Sequence, residues 1–103
     1  ESRDFIFIAV LGRAIQCLLE AGTFDGRGVN VGSGRSVTIR DSAALLLANL
    51  SPTAEVHFSG NERKGDPEQW CADIVQLRSC GFEPKYDISA GLKETAQWLK
   101  EQA

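Results

Sequence analysis

The chain has no methionine, a single histidine, a single tyrosine and only three cysteines, and it has no long apolar run. Without methionine there is no initiator, and Glu1 and Ser2 lead almost directly into apolar residues, so the start is expected to be a cut. His57 falls on the polar side of an alternating stretch with no Cys or His neighbour, which reads as a solvated histidine. Cys17, Cys71 and Cys80 are odd in number and lack Cys-x-x-Cys spacing, which supports neither a disulfide framework nor a zinc site. They are expected to be buried free thiols, and a redox or metal function built on them and His57 has little behind it. No segment approaches the roughly 20 apolar residues that span a bilayer, and the first residues lack a signal-peptide layout; a cytoplasmic protein is expected. Basic surplus is also missing. A net charge of -3 and scattered Lys and Arg argue against nucleic-acid binding.

What is present fits one small globular domain, residues 1 to 103, with no linker or repeat. Residues 3 to 8, Arg-Asp-Phe-Ile-Phe-Ile, predict a largely buried strand. From about Val10, Leu11, Ala14, Ile15, Leu18 and Leu19 follow helical spacing, and Gly22 is placed to end the helix. Gly28 to Val31 predicts a short strand running into a glycine turn at residues 32 to 34. That turn lacks Gly-x-Gly-x-x-Gly spacing and a P-loop lysine, so its glycines serve tight turning and close packing. Ser36 and Val37 add a short extended piece. Thr38 and Asp41 resemble a capping box ahead of a helix whose stripe is Ile39, Ala43, Leu46, Leu47 and Leu50, stopped by Pro52. Residues 54 to 59 alternate as a half-buried strand. Asp73 is expected to cap a short helix ending near Gly81, and Asp87 a last helix with Ile88, Leu92, Thr95, Ala96 and Leu99 on one face. Trp70 and Trp98 read as packing anchors.

Between the third predicted strand and the next helix lies Asn61-Glu62-Arg63-Lys64-Gly65-Asp66-Pro67, which has no apolar side chain apart from the proline ring. Arg63 offers a planar fork of donors, Gly65 allows close backbone approach, and Asp66 accepts hydrogen bonds from hydroxyls. A phosphorylated, hydroxyl-rich ligand suits that set. Charged Gly-Pro loops are more often only solvated turns.

Several separated patterns together resemble the C-terminal, substrate-binding portion of an extended short-chain dehydrogenase/reductase, of the NAD-dependent epimerase/dehydratase family. They are Arg3-Asp4-Phe5-Ile6, Arg13-Ala14, Asn30 to Gly34, Arg63 to Asp66, Ala72-Asp73-Ile74, Cys80 to Pro84, and Gly91 to Trp98. Their order and spacing cover nearly the whole chain. The resemblance implies an α/β lobe of an extended SDR fold, with about four helices, three or four short strands and no Rossmann core. It implies that Arg3 and Arg63 clamp the diphosphate of a nucleotide-sugar of the UDP or dTDP class, that Asp66 positions hydroxyls, and that Phe5 packs beside the nucleoside.

Departures from the family pattern are equally specific. Phe7-Ile8-Ala9-Val10 stands where two carboxylates are common, removing a helix cap. The family's glycine-rich cofactor turn is absent, and Tyr86 has Ala90 where the lysine of a Tyr-x-x-x-Lys pair belongs. The expectation is therefore a nucleotide-sugar-binding lobe that is not catalytic by itself and holds neither cofactor nor metal; NAD is implied only for the whole family enzyme. The alternative is a non-enzymatic module that pairs with itself, forming a homo-oligomer, or with another protein through strands left bare.

Overall fold

A computed structural model describes residues 1–102. The elements, in order, are β1 (Ser2–Arg3), α1 (Ile8–Ala21), β2 (Val37–Thr38), α2 (Ile39–Leu50), α3 (Val75–Ser79) and α4 (Ile88–Gln102). Mixed helix and strand with four helices agrees with the expected α/β class, but strand content falls short. The radius of gyration is 16.0 Å, against about 13 Å for a compact domain of this length. The chain forms an open slab of 48 × 36 × 19 Å.

Three of the predicted strands are corrected. Only Arg3 of residues 3 to 8 is in a strand; 4 to 7 are irregular and Ile8 begins α1. Residues 28 to 31 and 54 to 59 are irregular as well, and 54 to 59 are exposed throughout. A strand needs a neighbour for its N–H and C=O groups, and among the described residues none runs beside these segments. The short piece at 36 to 37 does pair: Ser2 lies opposite Thr38 and Arg3 opposite Val37, antiparallel. On the other side of β1, Ser2 N–H donates to the Glu68 carbonyl at 2.8 Å and Trp70 N–H to the Ser2 carbonyl at 3.1 Å. The N-terminal residues are thus held between residues 37 to 38 and 68 to 70.

The helices follow their local signals more closely. Phe7, the residue preceding α1, offers no side-chain cap, and no acidic residue lies in the first turn. α1 stops at Gly22, where a Cβ would sit 2.5 Å from the Leu18 carbonyl oxygen. Of the predicted stripe, Ala14 is buried and Leu18 packs against the core, but Val10 and Cys17 complete the buried face, and Ile8, Ile15 and Leu19 remain exposed. α2 begins as read, with Thr38 Oγ1 accepting from Asp41 N–H at 3.0 Å, and gives way to Ser51 just before Pro52. Asp73 Oδ1 accepts from Val75 N–H at 3.1 Å at the start of α3, and Gly81 takes φ +88° beyond its end. Asp87 Oδ1 accepts from Ala90 N–H at 2.8 Å, capping α4.

The core lies between α1 and α3: Val10, Ala14 and Cys17 meet Ile74, Leu77 and Phe82. Phe82, just past the end of α3, is one of its two largest fully buried side chains. α2 and α4 form a second layer in which no α2 side chain is fully buried. Gly91 admits Phe7 to that layer, since a Cβ there would stand 2.8 Å from Phe7 Cβ. Trp70 and Trp98 are more than half exposed, so neither is a packing anchor. Of the cysteines, Cys17 is buried, Cys80 half-buried and Cys71 exposed, which corrects the expectation of three buried thiols.

Candidate functional site

The charged loop frames an open cleft of about 550 Å³. Its floor is the three-segment junction, represented by Ser2, Thr38, Glu68 and Gln69, and its wall is residues 62 to 66. The loop turns through a hydrogen bond from Asp66 N–H to the Arg63 carbonyl at 3.2 Å, with Gly65 at φ +93°. An L side chain is strained at that φ, so the glycine is a requirement of the turn. Arg63 and Asp66 thereby line the same cleft.

The other two residues assigned from the sequence lie elsewhere. Arg3 is adjacent to the cleft but turned along β1: its Nη1 donates to the Ser2 carbonyl at 2.7 Å and its Nη2 meets Glu1 Oε2 at 3.3 Å. The guanidinium also stands 5.9 Å from the centroid of a Trp70 ring. Phe5 lines an apolar groove between α2 and α4 and a separate cleft near Arg35 and Arg78. His57 is solvated, with Nε2 3.5 Å from Glu55 Oε2.

Sequence reasoning assigned Asp66 but not the other carboxylates of the cleft. Glu1, Glu62 and Glu68 line it along with Asp66, Arg63 and Lys64. Four carboxylates against two cations make a poor trap for a bare anion. They are good acceptors for hydroxyls, while Arg63 and Lys64 supply donors.

It also missed Asp4, the residue that positions this end of the molecule. Its Oδ1 accepts from Ser33 N–H at 2.9 Å and from Ser33 Oγ at 2.6 Å. Its Oδ2 accepts from Gly34 N–H at 3.0 Å and from Ala72 N–H at 3.2 Å. One carboxylate thus joins the first segment to the glycine turn and to the segment after Trp70. Gly32 allows the approach, because a Cβ there would lie 2.7 Å from Ala72 Cβ and 2.8 Å from Asp4 Oδ2.

No protein-family model matches the chain. Individual relatives do, along nearly all of it. GDP-L-fucose synthase 1 of Arabidopsis thaliana is 31% identical over 97 residues, 93% of this chain and 29% of the relative. dTDP-4-dehydro-6-deoxy-D-allose reductase of a Streptomyces species is 29% identical over 101 residues, 97% of this chain and 30% of the relative. dTDP-L-rhamnose 4-epimerase of Burkholderia thailandensis is 26% identical over 102 residues, 98% of this chain and 28% of the relative.

The chain is homologous to members of the NAD-dependent epimerase/dehydratase family. It spans less than a third of the length of these relatives. NAD is the cofactor of that family, and the glycine turn at residues 32 to 34 is where glycines cluster in this chain. Its residues do not fit the dinucleotide. The Ser33 and Gly34 amides, which would have to face a pyrophosphate, donate to Asp4, and a second anion in that place would be repelled. The described residues bring two cations and four carboxylates to the charged-loop cleft, and no chemical step through NAD follows from them.

Proposed function

We propose that this chain is a nucleotide-sugar-binding lobe of an epimerase/dehydratase-family enzyme and that the charged-loop cleft is its binding site. The observation that carries the proposal is the convergence of Arg63, Lys64 and Asp66 on one cleft in a chain whose relatives are named for GDP- and dTDP-sugar chemistry. Arg63 and Lys64 take the diphosphate, Arg63 through its planar fork. Asp66 and Glu68 accept from sugar hydroxyls. Arg3 joins as a second guanidinium by exchanging Glu1, which lines the cleft, for a phosphate oxygen. The lobe contributes orientation: it fixes the nucleotide so that the sugar is presented elsewhere, and the oxidation and reduction of the sugar belong to the NAD-bearing part of such an enzyme.

Calorimetric titration with dTDP and with GDP tests the reading. Saturable binding that Arg63→Ala weakens by at least tenfold is the expected outcome, a loss typical of a charge-assisted contact. No binding at millimolar ligand to folded protein sinks it. A second reading, self-association, no longer rests on bare strands; what favours it is the exposed row Ile8, Ile15 and Leu19 on α1. A strictly monomeric mass by light scattering at high concentration removes its support.

A further inference from the structure

The charged loop belongs to a longer stretch that is scarcely tied to the rest of the molecule. Among the described residues, the hydrogen bonds of residues 52 to 66 are all made within 51 to 66. Ala54 N–H donates to the Ser51 carbonyl, Asn61 N–H to Ser59 Oγ and Asp66 N–H to the Arg63 carbonyl, and His57 meets Glu55. Phe58 touches α2 through the Arg40 guanidinium, 5.3 Å from its ring centroid. A stretch with so few bonds to the body takes its place from its two ends. The upstream end is α2, which stops at Leu50. The downstream end is far nearer, because Pro67 alone separates Asp66 from Glu68.

That downstream end is a clamp. Ser2 N–H donates to the Glu68 carbonyl at 2.8 Å and Trp70 N–H to the Ser2 carbonyl at 3.1 Å. Ser36 Oγ donates to the Trp70 carbonyl at 3.3 Å, and Ala72 N–H to Asp4 Oδ2 at 3.2 Å. The two Ser2 bonds are made by backbone, and the Ser36 bond is long, exposed and between neutral groups. Asp4 supplies the ionised acceptor, the stronger kind of partner. It also holds the amides of Ser33 and Gly34, and so sets where Ser36, two residues on, meets Trp70. Both side-chain routes into the clamp therefore run through one carboxylate, although Asp4 does not itself line the cleft.

Building on the binding site above, we propose that Asp4 is a positioning residue for the charged-loop cleft: by fixing residues 68 to 72 it sets where Arg63 and Asp66 stand across from Ser2 and Thr38. The Arg63 fork tolerates little displacement, since a contact stretched from about 2.9 Å to about 3.6 Å is no longer a hydrogen bond. Loss of Asp4 then weakens ligand binding beyond anything that follows from loss of stability.

Calorimetric titration with dTDP separates positioning from stability when it is run on the unaltered protein, Asp4→Asn, Asp4→Ala and Phe82→Leu, each at a temperature where circular dichroism shows it folded. Phe82→Leu lowers stability through the α1–α3 core. It is expected to bind dTDP as the unaltered protein does. Asp4→Asn is expected to bind about threefold and Asp4→Ala about tenfold more weakly, the worth of roughly one hydrogen bond to a charged group. In ligand-free protein the backbone amide NMR signals of residues 63 to 66 move in the Asp4 variants and not in Phe82→Leu, a readout that stability alone leaves in place. A folded Asp4→Ala that binds dTDP as tightly as the unaltered protein overturns the positioning role and leaves the cleft as the site. Should Asp4→Ala not fold, the same result with Asp4→Asn decides the matter. An equal loss in Phe82→Leu also overturns it, because destabilisation then suffices. Failure of the unaltered protein to bind dTDP overturns site and positioning role together.

Discussion

Replacing Asp4 by alanine removes four hydrogen bonds at once, three of them from backbone N–H groups of Ser33, Gly34 and Ala72. A hydrogen bond to a charged group contributes about 1.5–3 kcal/mol, and a donor left unsatisfied in a buried place costs about 1–3 kcal/mol. Asp4 and Ser33 are only half-buried and Gly34 is exposed, so water recovers part of the loss. The expected destabilisation is about 2–4 kcal/mol, the range of a broken network and well above a surface substitution. Asp4→Asn keeps one acceptor oxygen, which can serve either the Ser33 pair or the Gly34 and Ala72 pair, and should lose about half as much. Urea unfolding followed by circular dichroism measures both. At roughly 4–8 °C per kcal/mol for a domain of this size, the order unaltered, Asn, Ala should be plain in thermal melts as well. An Asp4→Ala midpoint within about 0.5 kcal/mol of the unaltered protein would refute the view that this carboxylate joins the three segments.

Two glycines should respond in opposite directions. Gly12→Ala meets nothing within 4 Å and should stabilise α1 by about 0.5–1 kcal/mol, whereas Gly32→Ala drives a methyl into Ala72 and Asp4 and should destabilise by about 1–3 kcal/mol. Chemical denaturation of the two variants side by side reads the sign directly. Phe82→Ala, which empties the centre of the α1–α3 core, should cost about 3–5 kcal/mol, measured as loss of the cooperative transition or a large fall in its midpoint.

Helix positions were legible because their signals are local. Thr38 and Asp87 cap the helices they were read to cap, and Gly22 and Gly81 lie where those helices' neighbours end, since capping and termination depend on residues within a turn or two of one another. Strands were less so. The alternation at residues 54 to 59 and the β-branched run at 4 to 8 are fit for sheets, but a sheet also needs a partner strand, and periodicity says nothing of whether one is present. The same limit applies to burial. α1 has more apolar residues than its neighbours cover, so Val10 and Cys17 are buried while Ile15 and Leu19 are not. Within the site, Arg63 and Asp66 could be read from one short loop. Asp4 could not, because its partners lie 29 to 68 positions away. Arg40 and Phe58, eighteen positions apart, carry no shared signature in the sequence; only their stacking shows them as a pair.

The most direct test of a nucleotide-sugar site at the charged loop is a residue-resolved NMR titration of the backbone amides with dTDP. The account predicts saturable shifts concentrated at Ser2, Thr38 and residues 62 to 66, with Ser33 and Gly34 unmoved because their amides stay on Asp4. Shifts centred on the glycine turn at 32 to 34, or none at millimolar dTDP, would contradict it.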